Sequence, residues 1–175
     1  MTEQILITGF GGQGVLFAGK FLAYNGLLSG KQVSWLPSYG PEMRGGTANC
    51  SVIISDEAVG SPIVSAPDIL VCMNLPSLDK FENAAVKGAK IFIDSTLIER
   101  KVKREDVTAF YIPATRLATD AGTPALANMI ITGKILKETG FGTDCIEQAL
   151  KKVVSAKHPE LYEKNLGAIK IGYNL

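Results

Sequence analysis

The chain has 175 residues and one domain's worth of length, enough for a single well-buried core. Its residues are 46% hydrophobic and 20% charged, which excludes disorder, and a net charge near +1 gives no basic field for nucleic acid or for a membrane surface. Met1-Thr-Glu leads straight into a strand, so no signal peptide is expected, and the apolar runs break before spanning length. Three cysteines lie far apart, at Cys50, Cys72 and Cys145, and none forms a C-x-x-C, so a reducing, cytoplasmic compartment is expected.

Ile5–Thr8 reads as the first strand, and it runs into Gly9-Phe10-Gly11-Gly12-Gln13-Gly14. The spacing G-x-G-x-x-G between an apolar strand and an apolar helix is that of a phosphate cradle. Gly9 permits the turn, Gly11 lets a ligand approach the backbone, and Gly14 lets helix and strand pack closely. The first N–H groups of the helix are unpaired and sit at the positive end of its dipole. Gln13 adds a side chain able to donate to a phosphate or a carbonyl. The plain alternative is a tight turn that binds nothing. No Asp or Glu occurs from Gln4 to Pro41, so the acidic residue that holds a dinucleotide's ribose, about 20 residues after the glycines, is missing.

The helix runs from Val15 to Leu28, apolar on more than one face, and must be buried by its sheet and by something else. Gln32–Leu36 is the second strand. The loop that follows, Pro37 to Gly46, brings together Tyr39, Glu42, Met43 and Arg44 amid Gly and Pro. Arg44 suits a carboxylate or phosphate, Tyr39 and Met43 a protein contact, and Glu42 an ion pair with Arg44 that stiffens the loop. An interface or ligand role is expected there.

Thr47–Ser55 is a strand that the turn at Asp56-Glu57 allows to be antiparallel. Ile69–Met73 and Lys90–Asp94 are buried strands flanking a helix at Pro76–Lys87, capped by Asn74 or Ser77. Phe110–Ile112 is a further strand after the charged segment Glu99–Asp106. The last third is helical: Pro124–Glu138, Thr143 to about Ser155 with Thr143 as cap, and Pro159–Ala168 fading into Gly172. Thr119–Pro124 reads mainly as the start of the first of these. The following run, Ala125–Leu136, is apolar around most of its circumference, so it lies in the core or under a partner.

Alternating strands and helices, with continuous apolar strands, predict a Rossmann-like α/β fold. Its doubly wound sheet is mostly parallel, with helices on both faces and a helical C-terminal third. No linker or repeat divides it. His158 is the one histidine and three scattered thiols cannot complete an iron–sulfur site, so neither a catalytic set nor a metal set is expected. Asp94-Ser95-Thr96 closes a strand at the ligand edge and is a weaker candidate.

Gly9-Phe-Gly-Gly-Gln-Gly-Val15, Ser38-Tyr-Gly-Pro-Glu-Met-Arg-Gly-Gly46, Cys50–Ser55, Ser61-Pro62 and Pro67-Asp68 together resemble the gamma subunit of 2-oxoacid:ferredoxin oxidoreductases. The resemblance covers residues 1–175 as one pyruvate/ketoisovalerate oxidoreductase gamma-type domain. The length and the ending Lys164–Tyr173 look most like the 2-oxoglutarate (KorC-type) members. It implies a complex that converts a 2-oxoacid and coenzyme A to acyl-coenzyme A and carbon dioxide and reduces ferredoxin. It implies thiamine-binding alpha and beta subunits, a ferredoxin-like delta subunit and an external ferredoxin. Thiamine diphosphate and iron–sulfur clusters then belong to those partners, and coenzyme A is the ligand expected at Gly9, Gly11, Gly12, Gln13 and Gly14. Two other readings stand beside it: a separate nucleotide-binding or sensor module, and a purely structural subunit.

Overall fold

In a computed structural model the described residues are 1–38 and 47–175. The loop residues Tyr39, Glu42, Met43 and Arg44 therefore lie outside them. Six strands form one sheet: β1 (Thr2–Phe10), β2 (Gln32–Ser38), β3 (Thr47–Ser55), β4 (Ile69–Cys72), β5 (Lys90–Asp94) and β6 (Thr108–Ile112), in the order β2-β3-β1-β4-β5-β6. The strands β1, β4, β5 and β6 pair in parallel. The strand β3 runs against both β1 and β2, as the turn signal allowed. Five strands thus share one direction, and the sheet is Rossmann-like with a single reversed strand.

From β1 the chain first builds outward to β2 and β3. It then returns past β1 to β4. The winding direction reverses between β1 and β4, which opens a crevice at their carboxyl ends. The registers Ile5↔Ile69 and Ile7↔Val71 put fully buried branched side chains side by side, and Thr8 donates to the Val71 carbonyl at 2.6 Å.

The helices are α1 (Val15–Leu28), α2 (Leu75–Phe81), α3 (Ala114–Asp120), α4 (Ala127–Thr139), α5 (Ile146–Val153) and α6 (Pro159–Tyr173). The two faces are covered unequally. On one face α1, α3, α4, α5 and α6 enclose a core with Phe21, Leu22, Ile130 and Leu136. On the other, α2 and the segments around Val64 and Ile98 cover Leu6, Leu70, Ile91 and Ile93. Each such side chain contributes roughly 1.5–3 kcal/mol by leaving water. The surplus apolar surface of α1 and α4 is covered from within, because α5 packs on α1 and α6 on α4. No partner is needed to bury those two helices. No helix among the described residues is long and apolar enough to cross a membrane.

Several elements differ from the expectation, α3 being one that was not expected at all. The helix predicted to Lys87 ends at Phe81 and tightens into a 3₁₀ turn at Glu82–Ala84. There Arg100 and the Lys103 N–H take the Glu82 carboxylate, and Arg104 takes the Glu82 and Ala85 carbonyls. Thr143 lies within a 3₁₀ turn and caps nothing. The last helix continues beyond Ala168 to Tyr173 because its second half packs on α4 through glycine. A Cβ on Gly133 would lie 2.1 Å from the Ile169 carbonyl oxygen, and one on Gly172 would lie 1.7 Å from that of Ile130.

Both obstacles are backbone, so neither helix yields without moving off the other. Gly133→Ala is expected to cost about 1–3 kcal/mol through overpacking. A urea titration followed by circular dichroism checks it, and an unchanged midpoint contradicts so close a crossing.

Candidate functional site

The glycine turn sits at the reversal point. The strand β1 ends at Phe10, and two glycines with positive φ, Gly12 at 91° and Gly14 at 74°, carry the chain into α1. Gly14 is the N-cap, no side chain caps the helix, and its first turn holds no acid. Its leading N–H groups therefore face the crevice without a negative neighbour from α1.

Gln13 fixes this arrangement. Its Oε1 accepts from the Phe10 N–H at 2.6 Å, and its Nε2 donates to the Met73 carbonyl at 3.0 Å. Of the two partners the sequence offered, a phosphate or a carbonyl, the amide takes the carbonyl. Gly9 lies beneath it, where a Cβ would come within 2.7 Å of Gln13 Oε1 and 3.1 Å of Met73. Close helix–strand packing therefore belongs to Gly9. The space beside Gly14 is filled by Asn128 of α4, whose Nδ2 donates to the Gly14 carbonyl at 3.0 Å. Gly11 and Gly12 are exposed at the tip of the turn.

Around the crevice the carboxyl ends of β4 and β5 are tied down by side chains that the sequence marked only faintly. The Asn74 Oδ1 accepts from the Ser77 N–H at 2.8 Å and caps α2. Asp94 is fully buried and accepts from the N–H groups of Thr96 and Thr115 and from the Thr115 hydroxyl. Its lone pairs join β5 to α3, so it is a structural anchor rather than a ligand group. Phe10, Leu75 and Leu97 stand 41%, 41% and 46% exposed at or just past the carboxyl ends of β1, β4 and β5, an apolar rim along that edge. Asn128 escaped the sequence reading, since its partner is 114 residues away.

Other candidates separate from this place. His158 lies on the surface at the start of α6, beside Glu160. A groove of about 540 Å³ between α5 and α6 is lined by Glu147, Lys151 and Lys170 among others, and by no residue of the glycine turn. Among the described residues no group of three or more His, Cys, Asp or Glu is placed to hold a metal ion.

The family described as pyruvate ferredoxin/flavodoxin oxidoreductase matches residues 4–175. The chain belongs to this family. It is 40% identical over 171 residues to the ketoisovalerate oxidoreductase subunit VorA of Methanothermobacter thermautotrophicus, an alignment covering 97% of this chain and 35% of that one. The chain thus spans about a third of the length of that relative. It is 35% identical over 179 residues to the 2-oxoglutarate synthase subunit KorC of Methanocaldococcus jannaschii, covering 100% of this chain and 94% of the relative. Among solved structures, the keto/oxoacid ferredoxin oxidoreductase gamma subunit from Geobacter sulfurreducens superposes with a TM-score of 0.84 at 27% identity. That likeness covers 98% of this chain and 96% of the other. The fold is therefore that of a gamma-type subunit.

The thiols of this chain lie away from the glycine turn. Cys50 and Cys72 are buried, and burial pushes both thiols up to about 12. Cys145 is partly exposed. At pH 8 a disulfide reagent is expected to label one thiol, Cys145, in the native chain and three after denaturation. Rapid native labelling of Cys50 or Cys72 contradicts the packing described.

Proposed function

We propose that this chain is the gamma subunit of a cytoplasmic 2-oxoacid:ferredoxin oxidoreductase and that it holds the phosphate-bearing end of coenzyme A at Gly11–Gly14. The complex oxidatively decarboxylates a 2-oxoacid, transfers the acyl group to coenzyme A and passes electrons to ferredoxin. Thiamine-binding alpha and beta subunits and a ferredoxin-like delta subunit carry thiamine diphosphate and the iron–sulfur clusters, which supply the carbon–carbon cleavage and electron transfer. This chain contributes position. The observation that carries the reading is the uncapped, acid-free start of α1 at the winding reversal, in a chain that matches the family over nearly its whole length. Phosphate oxygens accept from N–H groups already oriented toward them, and no carboxylate must be displaced.

The preferred oxoacid is 2-oxoglutarate, supported by near-complete coverage of KorC relatives. The higher identity to VorA supports ketoisovalerate as a second substrate reading. The ratio of kcat/KM for the two oxoacids in the purified complex separates them.

The isolated chain is expected to show no turnover with 2-oxoglutarate, coenzyme A, thiamine diphosphate and a viologen dye, and to restore activity when added to the remaining subunits. Turnover by the chain alone sinks the accessory role. Because Gly12 and Gly14 need positive φ, the cradle is tested at Gly11. In the assembled complex Gly11→Val should weaken coenzyme A binding by roughly tenfold or more, with the fold checked by circular dichroism. Equal affinities count against the turn as the site.

Arg44→Ala is expected to lower complex activity or assembly while the chain's melting temperature stays within about 2 °C of wild type. Wild-type activity and assembly together would reduce the Tyr39–Gly46 segment to scaffold.

A further inference from the structure

The segment leading into α4 faces the glycine turn, and three observations give it a ligand role. The first is direction. The helix α1 starts at the carboxyl end of β1. The helix α4 starts beside Gly14, where Asn128 donates to the Gly14 carbonyl, and ends where Lys90, the first residue of β5, donates to the Glu138 carbonyl at 2.7 Å. Both helices therefore run from the carboxyl edge of the sheet to its amino edge. Their positive ends meet at the crevice.

The second is charge. Neither α1 nor α4 has a side-chain cap or an acidic residue in its first turn, and the 3₁₀ turn Pro124–Leu126 that opens α4 has none either. The helices α5 and α6, which start elsewhere, carry Glu147 and Glu160 in that position. Negative charge is absent from the first turns of these two meeting helices and present in those of α5 and α6.

The third is a buried acceptor. Asn128 is 4% exposed, and its Nδ2 is used on Gly14. Its Oδ1 has no hydrogen-bond partner among the described residues. It lies 3.4 Å from the point that a Cβ on Gly14 would occupy, between the two helix starts. A buried acceptor left unmatched is unfavourable, and a donor arriving beside Gly14 would satisfy it.

We propose that Gly122–Asn128 is the second wall of the phosphate site: the starts of α1 and α4 flank one phosphoryl group, and Asn128 Oδ1 accepts from a hydroxyl or amide N–H next to it. The ligand class is a phosphate ester that carries such a donor near its phosphoryl group. This deepens, and rests on, the reading of the glycine turn as a phosphate cradle. Coenzyme A has both features, whereas inorganic pyrophosphate has the charge without the organic donor.

The test uses the full chain labelled with nitrogen-15, titrated separately with pyrophosphate and with coenzyme A at low salt. The backbone N–H signals of Gly12 and Gly14 and the side-chain amide of Asn128 are expected to shift together with either ligand. Ala125 is exposed, so Ala125→Glu places a carboxylate at the start of α4 without touching the core. It should weaken both ligands by roughly tenfold, by charge repulsion, without lowering the unfolding midpoint, since an acid there suits the helix. Asn128→Ala should weaken coenzyme A more than pyrophosphate. If the glycine signals shift while Asn128 stays still and Ala125→Glu binds like wild type, the second wall is wrong and the cradle stands. If pyrophosphate gives the full pattern and coenzyme A gives none, the wall stands and the coenzyme A reading fails. If neither ligand moves either set, both are overturned.

Discussion

One carboxamide sets the geometry on which the site depends. Gln13 accepts from Phe10 at the end of β1 and donates to Met73 at the end of β4, so one planar group spans the two strands between which the winding reverses. Gly9 is small because that amide lies on it, and Gly14 is small because a second amide, from Asn128, lies there. The start of α1 is thereby fixed by neutral hydrogen bonds on both sides. A charged clamp would hold it equally well but would compete with an anion for the same N–H groups.

The same economy governs the acidic residues nearby. Asp94 ends β5 at the carboxyl edge, yet its oxygens are directed inward to Thr96 and Thr115. Glu82 is buried and ion-paired to Arg100 on the opposite face of the sheet. Each carboxylate is consumed in joining a strand or helix to the segment after it. Around the glycine turn itself stand oriented N–H groups and the amides of Gln13 and Asn128. Such a surface favours an anion weakly at each contact and firmly in sum.

Much of this was legible in the chain before folding. Continuous apolar runs marked β1, β4 and β5, and glycine spacing located the turn. The Asp56-Glu57 turn signal correctly allowed β3 to reverse. What escaped was set by distant partners or by weak local preference. Ala114–Asp120 forms α3 although two threonines and an aspartate are poor helix formers, because Ala114 and Ala118 are buried against the core and Thr115 bonds Asp94. The helix after Asn74 stops early because arginines from twenty residues onward capture its last turn. The excess apolar surface on α1 and α4 was visible. That the cover of α4 would be α6 depended on Gly133 and Gly172 meeting carbonyls of the opposite helix, a fit that no periodicity encodes.

Because the C-terminal helices close one face, the apolar groups left outside carry information. Several lie along the β2 edge, with Leu27, Trp35 and Leu36 exposed there. Phe10, Leu75 and Leu97 instead stand at the carboxyl ends of three neighbouring parallel strands. Single exposed apolar residues need no explanation, but three at successive strand ends make a rim. The crevice therefore offers two unlike surfaces side by side: an uncharged, N–H-rich floor and an apolar lip. A ligand with a polyanionic end and a long neutral arm can lay its phosphate on the first and its arm across the second. A neighbouring subunit that covered the lip would exclude water from the floor and strengthen every hydrogen bond made there.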